Sequence, residues 1–264
     1  MRILYQSMTP VHHLPNYADA LTRHALKLCS PGTEIVLNGM PPEWFEGSSP
    51  TEVYRYPYAK HAIASHVIGI GRKAQADGYD AYVLGSFSEP FLPELRSVLD
   101  IPVVGMAESC ALVACSLAEY YAYVSLSPIS ARRLKSIVKK HALDARVTGF
   151  HALPRPFNEH ELNAAFNEPR ALIDAFTQIA TEAVEQGADL VVPAEGVMTE
   201  VLFMSGINNI AGATVMDCVG VTLCHAEMLV NLKQRAGMGV GRRWAYLKPP
   251  KEMMDQFDAA SART

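Results

Sequence analysis

Gly187-Ala-Asp-Leu-Val-Val-Pro-Ala-Glu195-Gly-Val-Met198 decides the fold, because the chain carries a second version of it. Gly78-Tyr-Asp-Ala-Tyr-Val-Leu-Gly-Ser86-Phe-Ser-Glu89 stands 109 positions earlier. Each copy reads as a helix end, a glycine, an aspartate, a buried apolar strand and a small-residue break bearing one polar side chain. The repeat continues downstream. Ile101-Pro-Val-Val-Gly105 and the apolar stretch to Ala114 are echoed by Ala213-Thr-Val-Met-Asp217 and the stretch to Ala226, now at an offset of 112. Upstream, Ile3-Leu-Tyr-Gln-Ser7 followed by Pro10 pairs with Tyr123-Val-Ser-Leu-Ser127 followed by Pro128, and Glu34–Leu37 with Ala145–Thr148. Two copies of a four-strand βα unit are expected to face each other, with Ser86 and Glu195 at equivalent places.

Strands alternating with helices at this spacing specify parallel sheets covered on both faces. Leu190-Val-Val192 and Ala81-Tyr-Val-Leu84 are continuously apolar, as doubly covered strands must be. The expected fold class is α/β: two pseudo-symmetric Rossmann-like αβα domains with parallel four-stranded sheets and a site in the cleft between them. The first domain comprises 1–117 plus 216–264 and the second 118–215. Residues 39–58, rich in Pro, Gly and aromatics, are too irregular for a simple connection and read as a lid. The tail from Pro249 reads as surface or subunit-contact material.

Composition narrows the function. With 49% hydrophobic and 19% charged residues among 264, the chain is a well-buried globular protein. A net charge of −4 argues against nucleic-acid binding. The sequence has no 18-residue apolar run and opens directly into a strand, so neither a membrane span nor a signal peptide is expected. Five cysteines, four of them in apolar helical segments (Cys110, Cys115, Cys218, Cys224), read as reduced thiols of a cytoplasmic protein. His61 and His66 have no matching acidic ligands, so no metal site is expected. The expected partners are a small-molecule substrate and further copies of the chain.

In open α/β sheets, ligands bind beyond the carboxyl ends of strands. The polar groups following strands here are Gln6, Ser7, Ser86, Ser125, Ser127, Glu195 and Asp217. The paired strand-end motifs, with Val104-Gly-Met-Ala-Glu108 and Val215-Met-Asp217 after them, resemble the aspartate/glutamate/hydantoin racemase superfamily over roughly residues 2–248. The resemblance implies proton removal and return beside a carbonyl, without cofactor, by two facing cysteines at the duplicated turns. Ser86 and Glu195 stand where those cysteines belong. It also implies an isomerase acting on a small amino-acid-derived carboxylate or cyclic amide.

A serine hydroxyl is a poor base without an activating neighbour. A glutamate at an apolar junction is different, because desolvation raises its pKa towards the range that suits a general base. Glu195 is therefore the expected acid/base, with Ser86 as hydrogen-bond donor or proton relay through water. Backbone N–H groups of Phe87 and Gly196 are placed to stabilise a developing oxyanion. Gln6, Ser7, Ser125, Ser127 and Asp217 are expected substrate binders. His12, Trp44, Glu108 and Cys218 are further candidates. Each residue also has a structural reading: Glu195, Ser86 and Asp217 as helix caps, Glu108 as a helix-opening carboxylate, His12 as solvated loop, Trp44 as surface packing, and Cys110 and Cys218 as core. Two other functions fit the same residues. Glu195 activating water would make a hydrolase of a lactone, lactam or cyclic imide, and a cleft without chemistry would make a small-ligand binder.

Overall fold

The computed structural model describes residues 1–46 and 48–261. Its first half builds a parallel sheet in the order β2-β1-β3-β4, from β1 (Arg2–Ser7), β2 (Glu34–Asn38), β3 (Ala81–Gly85) and β4 (Val103–Gly105). The second half repeats this as β6-β5-β7-β9, from β5 (Tyr121–Ser125), β6 (Val147–Ala152), β7 (Leu190–Pro193) and β9 (Ala213–Val215). It then adds a strand the sequence reading lacks. β8 (Asn209–Ile210) pairs antiparallel with β9, so the second sheet has five strands and not four.

Strand register preserves both sequence offsets. Tyr82 pairs with Val103 and Val191 with Val215, which keeps 109 on the central strands and 112 on their neighbours. The upstream match, however, is two residues out. Ser7 pairs with Gly85, and Val124 pairs with Pro193, which puts Ser125 at the place equivalent to Ser7. Ser127 lies beyond the strand and caps the following helix. The spacing to proline carries this register, since Pro10 and Pro128 each stand three residues after the matched serine.

The helices follow local signals. Pro15 opens α1 (Pro15–Leu28), and α2 (Pro50–Val53), α3 (Pro57–Ala62) and α4 (Ala64–Ala76) occupy and follow the aromatic loop. α5 (Leu92–Val98) and α6 (Met106–Leu117) flank β4. Ser127 accepts the Ser130 N–H at the start of α7 (Pro128–Lys140), whose first residue is the favoured proline. α8 (Glu159–Ala164) opens on a capping box of Asn158 and Glu161, and α9 (Arg170–Glu185) covers β5, β6 and β7. α10 (Gly196–Met204) leaves β7 directly. α11 (Cys218–Ala236) returns to pack on α1, α6, β3 and β4 of the first half, and α12 (Lys251–Ser261) is a mostly exposed helix tied back by Arg72–Asp258. No helix among the described residues is long and apolar enough to cross a membrane.

A buried histidine joins the two halves. His24 of α1 donates from Nδ1 to Glu200 of α10 (2.7 Å) and from Nε2 to Asp217 at the start of α11 (2.8 Å), while Phe203 stacks on its ring. Burial alone would lower the His24 pKa, but the two carboxylates outweigh it and hold the imidazolium at about 9. Because the folded-state value lies above the unfolded one, this contribution is full below about pH 6.5 and is lost as pH rises through about 9. His24→Gln strands two carboxylates and is expected to cost on the order of 3 kcal/mol at pH 7, read from urea unfolding. The gap between variant and wild type should narrow by pH 10; a gap independent of pH would show that His24 is neutral in the fold.

Candidate active site

The carboxyl ends of β1, β3, β5 and β7 converge on one cavity of about 190 Å³. Ser7 reaches it from β1, Gly85 and Ser86 from β3, Ser125 from β5, and Ala194 and Glu195 from β7. Tyr17 of α1 and Gly196 and Val197 of α10 complete the floor, and Ser130, Arg133, Leu134 and Ile137 of α7 form one wall. Pro50, Tyr54 and Lys60, from the aromatic loop and α3, also line it, beside Arg133.

Glu195 is the N-cap of α10. The Met198 N–H donates to its Oε2 at 2.7 Å, and the Val197 and Gly196 N–H groups also lie against the carboxylate. Burial pushes its pKa up and those N–H groups pull it back, with burial the larger effect. The result is a carboxylate held in place but more basic than one in water. Its cap role does not take the side chain out of the cavity, whose wall it helps to form.

Ser86 faces the same cavity from the other half. Its hydroxyl bonds that of Ser88 (2.9 Å) and accepts the Ser88 N–H (3.2 Å), a local turn that fixes its direction. Glu89 anchors that turn. Its carboxylate accepts the Glu108 N–H at the start of α6 (2.7 Å) and meets Nε2 of His141 at the end of α7 (2.6 Å). Below the turn, the ring of Tyr5 lies where a Cβ on residue 85 would be, so only glycine fits there. The Tyr5 hydroxyl stands 3.5 Å from that of Tyr17.

The profile of the family described as Asp/Glu/Hydantoin racemase matches residues 33–226. The chain belongs to the Asp/Glu/hydantoin racemase family. It is 28% identical over 187 residues to a hydantoin racemase from Pseudomonas sp. (strain NS671), covering 70% of this chain and 72% of that one. A hydantoin racemase from Paenarthrobacter aurescens is 26% identical over 244 residues, covering 90% and 96%. The fold matches the allantoin racemase from Klebsiella pneumoniae at TM-score 0.75, with 20% identity over 95% of this chain and 94% of that one. The allantoin racemase from Pseudomonas fluorescens gives the same TM-score at 22% identity, covering 95% and 98%.

Within this racemase fold, the cavity gathers Ser7, Ser86, Phe87, Ser125, Glu195 and Gly196 of the expected residues. Others lie elsewhere. Gln6 is buried behind β1, where Asn38 donates to its Oε1 (2.7 Å). Ser127 is a helix cap, for the register reason given above. Asp217 caps α11 and binds His24, and it lines a separate depression with Lys27 and Phe203. His12 is exposed, and Trp44 packs against the first-half core beside His66. Glu108 pairs with Arg96 outside the cavity.

Cys110 and Cys218 are fully buried core thiols, and burial pushes that of Cys218 well up. Among the described residues, no cluster of three or more His, Cys, Asp or Glu is placed to hold a metal. Sequence reasoning missed Tyr17, Lys60, Ser130 and Arg133, which come from helices and not from strand ends. Iodoacetamide on the folded protein is expected to modify the exposed Cys224 and to spare Cys110 and Cys218, as read by peptide mass spectrometry. Native-state alkylation of Cys218 would contradict its placement in the core.

Proposed function

We propose that the protein is a cofactor-independent racemase or isomerase that moves a proton at a carbon beside a carbonyl, on a small cyclic amide or amino-acid-derived carboxylate. One observation carries this reading: a carboxyl made more basic by burial shares a small cavity with a hydroxyl fixed on the opposite half. Membership of the racemase family, and relatives named as hydantoin racemases, support it.

In this reading Glu195 accepts the proton from the substrate carbon and returns it. The acidity of such a carbon comes from delocalising charge onto the neighbouring carbonyl oxygen, so donors aimed at that oxygen stabilise the transition state. The N–H of Phe87 has that role here, contributing on the order of 3 kcal/mol; the Gly196 N–H, expected to share it, is taken by the Glu195 carboxylate. Ser86 has only hydroxyl and N–H partners in its own turn, so it acts as a donor and proton relay and not as a second base. On the face opposite Glu195 water protonates the carbon through Ser86, and Glu195 returns its proton to the hydroxide that remains.

The test is hydrogen–deuterium exchange at C5 of a 5-substituted hydantoin in deuterated water, followed by NMR and chiral chromatography. Wild-type protein is expected to catalyse exchange with loss of optical purity. Glu195→Gln is expected to lower kcat at least a hundredfold with KM changed only a few-fold. Unaltered turnover in that variant removes Glu195 from the chemistry. Ring opening with gain of water would make the protein a hydrolase, and binding without exchange would make it a ligand binder.

A further inference from the structure

The cavity holds two cations and one acidic side chain. Lys60 of α3 and Arg133 of α7 line it from opposite halves, and Glu195 is the acidic residue on its wall among those described. Arg133 spends its guanidinium on the lid: Nη1 donates to the Tyr54 carbonyl (3.1 Å) and Nη2 to the Arg55 carbonyl (2.7 Å). Lys60 is half-buried, and its ammonium makes no ion pair or hydrogen bond with any described residue. Its ammonium is weakened by burial and by the charge of Arg133.

Two cations facing a single carboxylate in a partly dry space leave one positive charge without a counter-ion in the cavity, which is unfavourable on its own. A protein interior usually pairs such groups. Here the missing member is an anion, and the space beside the two cations is the open part of the site. A second observation points the same way. The hydroxyl of Ser125, 1% exposed and lining the cavity, has no hydrogen-bond partner. A buried hydroxyl without a partner costs on the order of 1–3 kcal/mol, a penalty that a ligand oxygen would remove.

From this we infer that the substrate is itself an acid: a small cyclic amide or related carbonyl compound whose substituent ends in a carboxylate, held between Lys60 and Arg133 while its reacting carbon faces Glu195. The identity of the reacting end rests on the proposed proton transfer; the anion subsite stands on the cation pair and Ser125. Because Arg133 of the second half grips the lid of the first, the bound carboxylate also ties the lid to the wall it closes against. Lys60 thus selects acidic substrates, and Arg133 both selects and positions.

The experiment compares two hydantoins of similar size on the full-length protein, one with a carboxyethyl and one with an n-propyl group at C5. Binding is measured by calorimetry and turnover by C5 exchange. Wild type is expected to bind the carboxyethyl compound at least tenfold more tightly. Lys60→Gln should reduce the acid-to-neutral ratio of both Kd and kcat/KM by tenfold or more, and Lys60→Arg should restore most of it. The arginine variant tests charge apart from fold, since a general loss of structure would not be rescued by a conservative cation. Equal affinity for the two compounds in wild type, or a ratio untouched by Lys60→Gln, overturns the inference. Tight, Lys60-dependent binding of the acid with no exchange in either compound leaves the anion subsite standing and removes the racemase reading.

Discussion

A carboxylate taken out of water but held by backbone N–H groups is the constraint on which the site depends. Glu195 begins α10, so the first-turn N–H groups that every helix leaves unpaired are at hand to bind it. Those donors keep the charged form within reach, while burial keeps it reactive. Neither effect alone would serve. A fully solvated glutamate is too weak a base at neutral pH, and one buried without donors would simply stay protonated.

The opposite wall depends on a different device, because a serine turn has no charge to orient it. Glu89 supplies the orientation from three residues away, with left-handed backbone at φ 40° and a carboxylate shared between the α6 N-terminus and His141. Gly105 must lack a side chain for that carboxylate to pass. The network continues through Glu108 to Arg96, so the Ser86 turn is tied to α5, α6 and α7 together. His24 does the corresponding work for α1, α10 and α11. Two buried charge networks, one near each duplicated turn, therefore fix the halves relative to each other.

Much of this was legible in the sequence, for a physical reason. A duplicated βα unit repeats its hydrophobic pattern, and the turn after each central strand must fall at the mouth of the cleft. Ser86 and Glu195 follow from that. What pattern cannot supply is register and reach. Ser7 can be matched to Ser125 or Ser127 by residue type, and strand pairing decides for Ser125, in agreement with the spacing to Pro10 and Pro128. Asp217 follows β9, which lies outside β7 in the sheet, and its carboxylate is taken by His24 and the first turn of α11. Lys60 and Arg133 lie on helices, where a cation ordinarily signals a solvated face; nothing local distinguishes them until the two halves are docked. β8 is two residues long, too short for periodicity to detect.

The asymmetry of the two walls has a consequence for the proposed reaction. A symmetric pair of bases can start from either hand of the substrate, each taking the proton that the other returns. A carboxylate opposite a hydroxyl works through solvent instead: Glu195 takes the proton on one face, water protonates the carbon through Ser86 on the other, and Glu195 returns its proton to the hydroxide left behind, each step being reversible from the other hand. Proton transfer to Glu195 leaves the net charge of the cavity unchanged and moves the negative charge from the protein to the substrate. The cost of the step is thus set by how well the cavity receives an anion, and not by creating a new charge in a dry space. In the proposed reaction that demand falls on the Phe87 N–H at the Ser86 turn, because the first-turn N–H groups of α10 are taken by Glu195 itself. The hydroxyl side need only deliver a proton, a task for which a turn of two serines at 2.9 Å is sufficient.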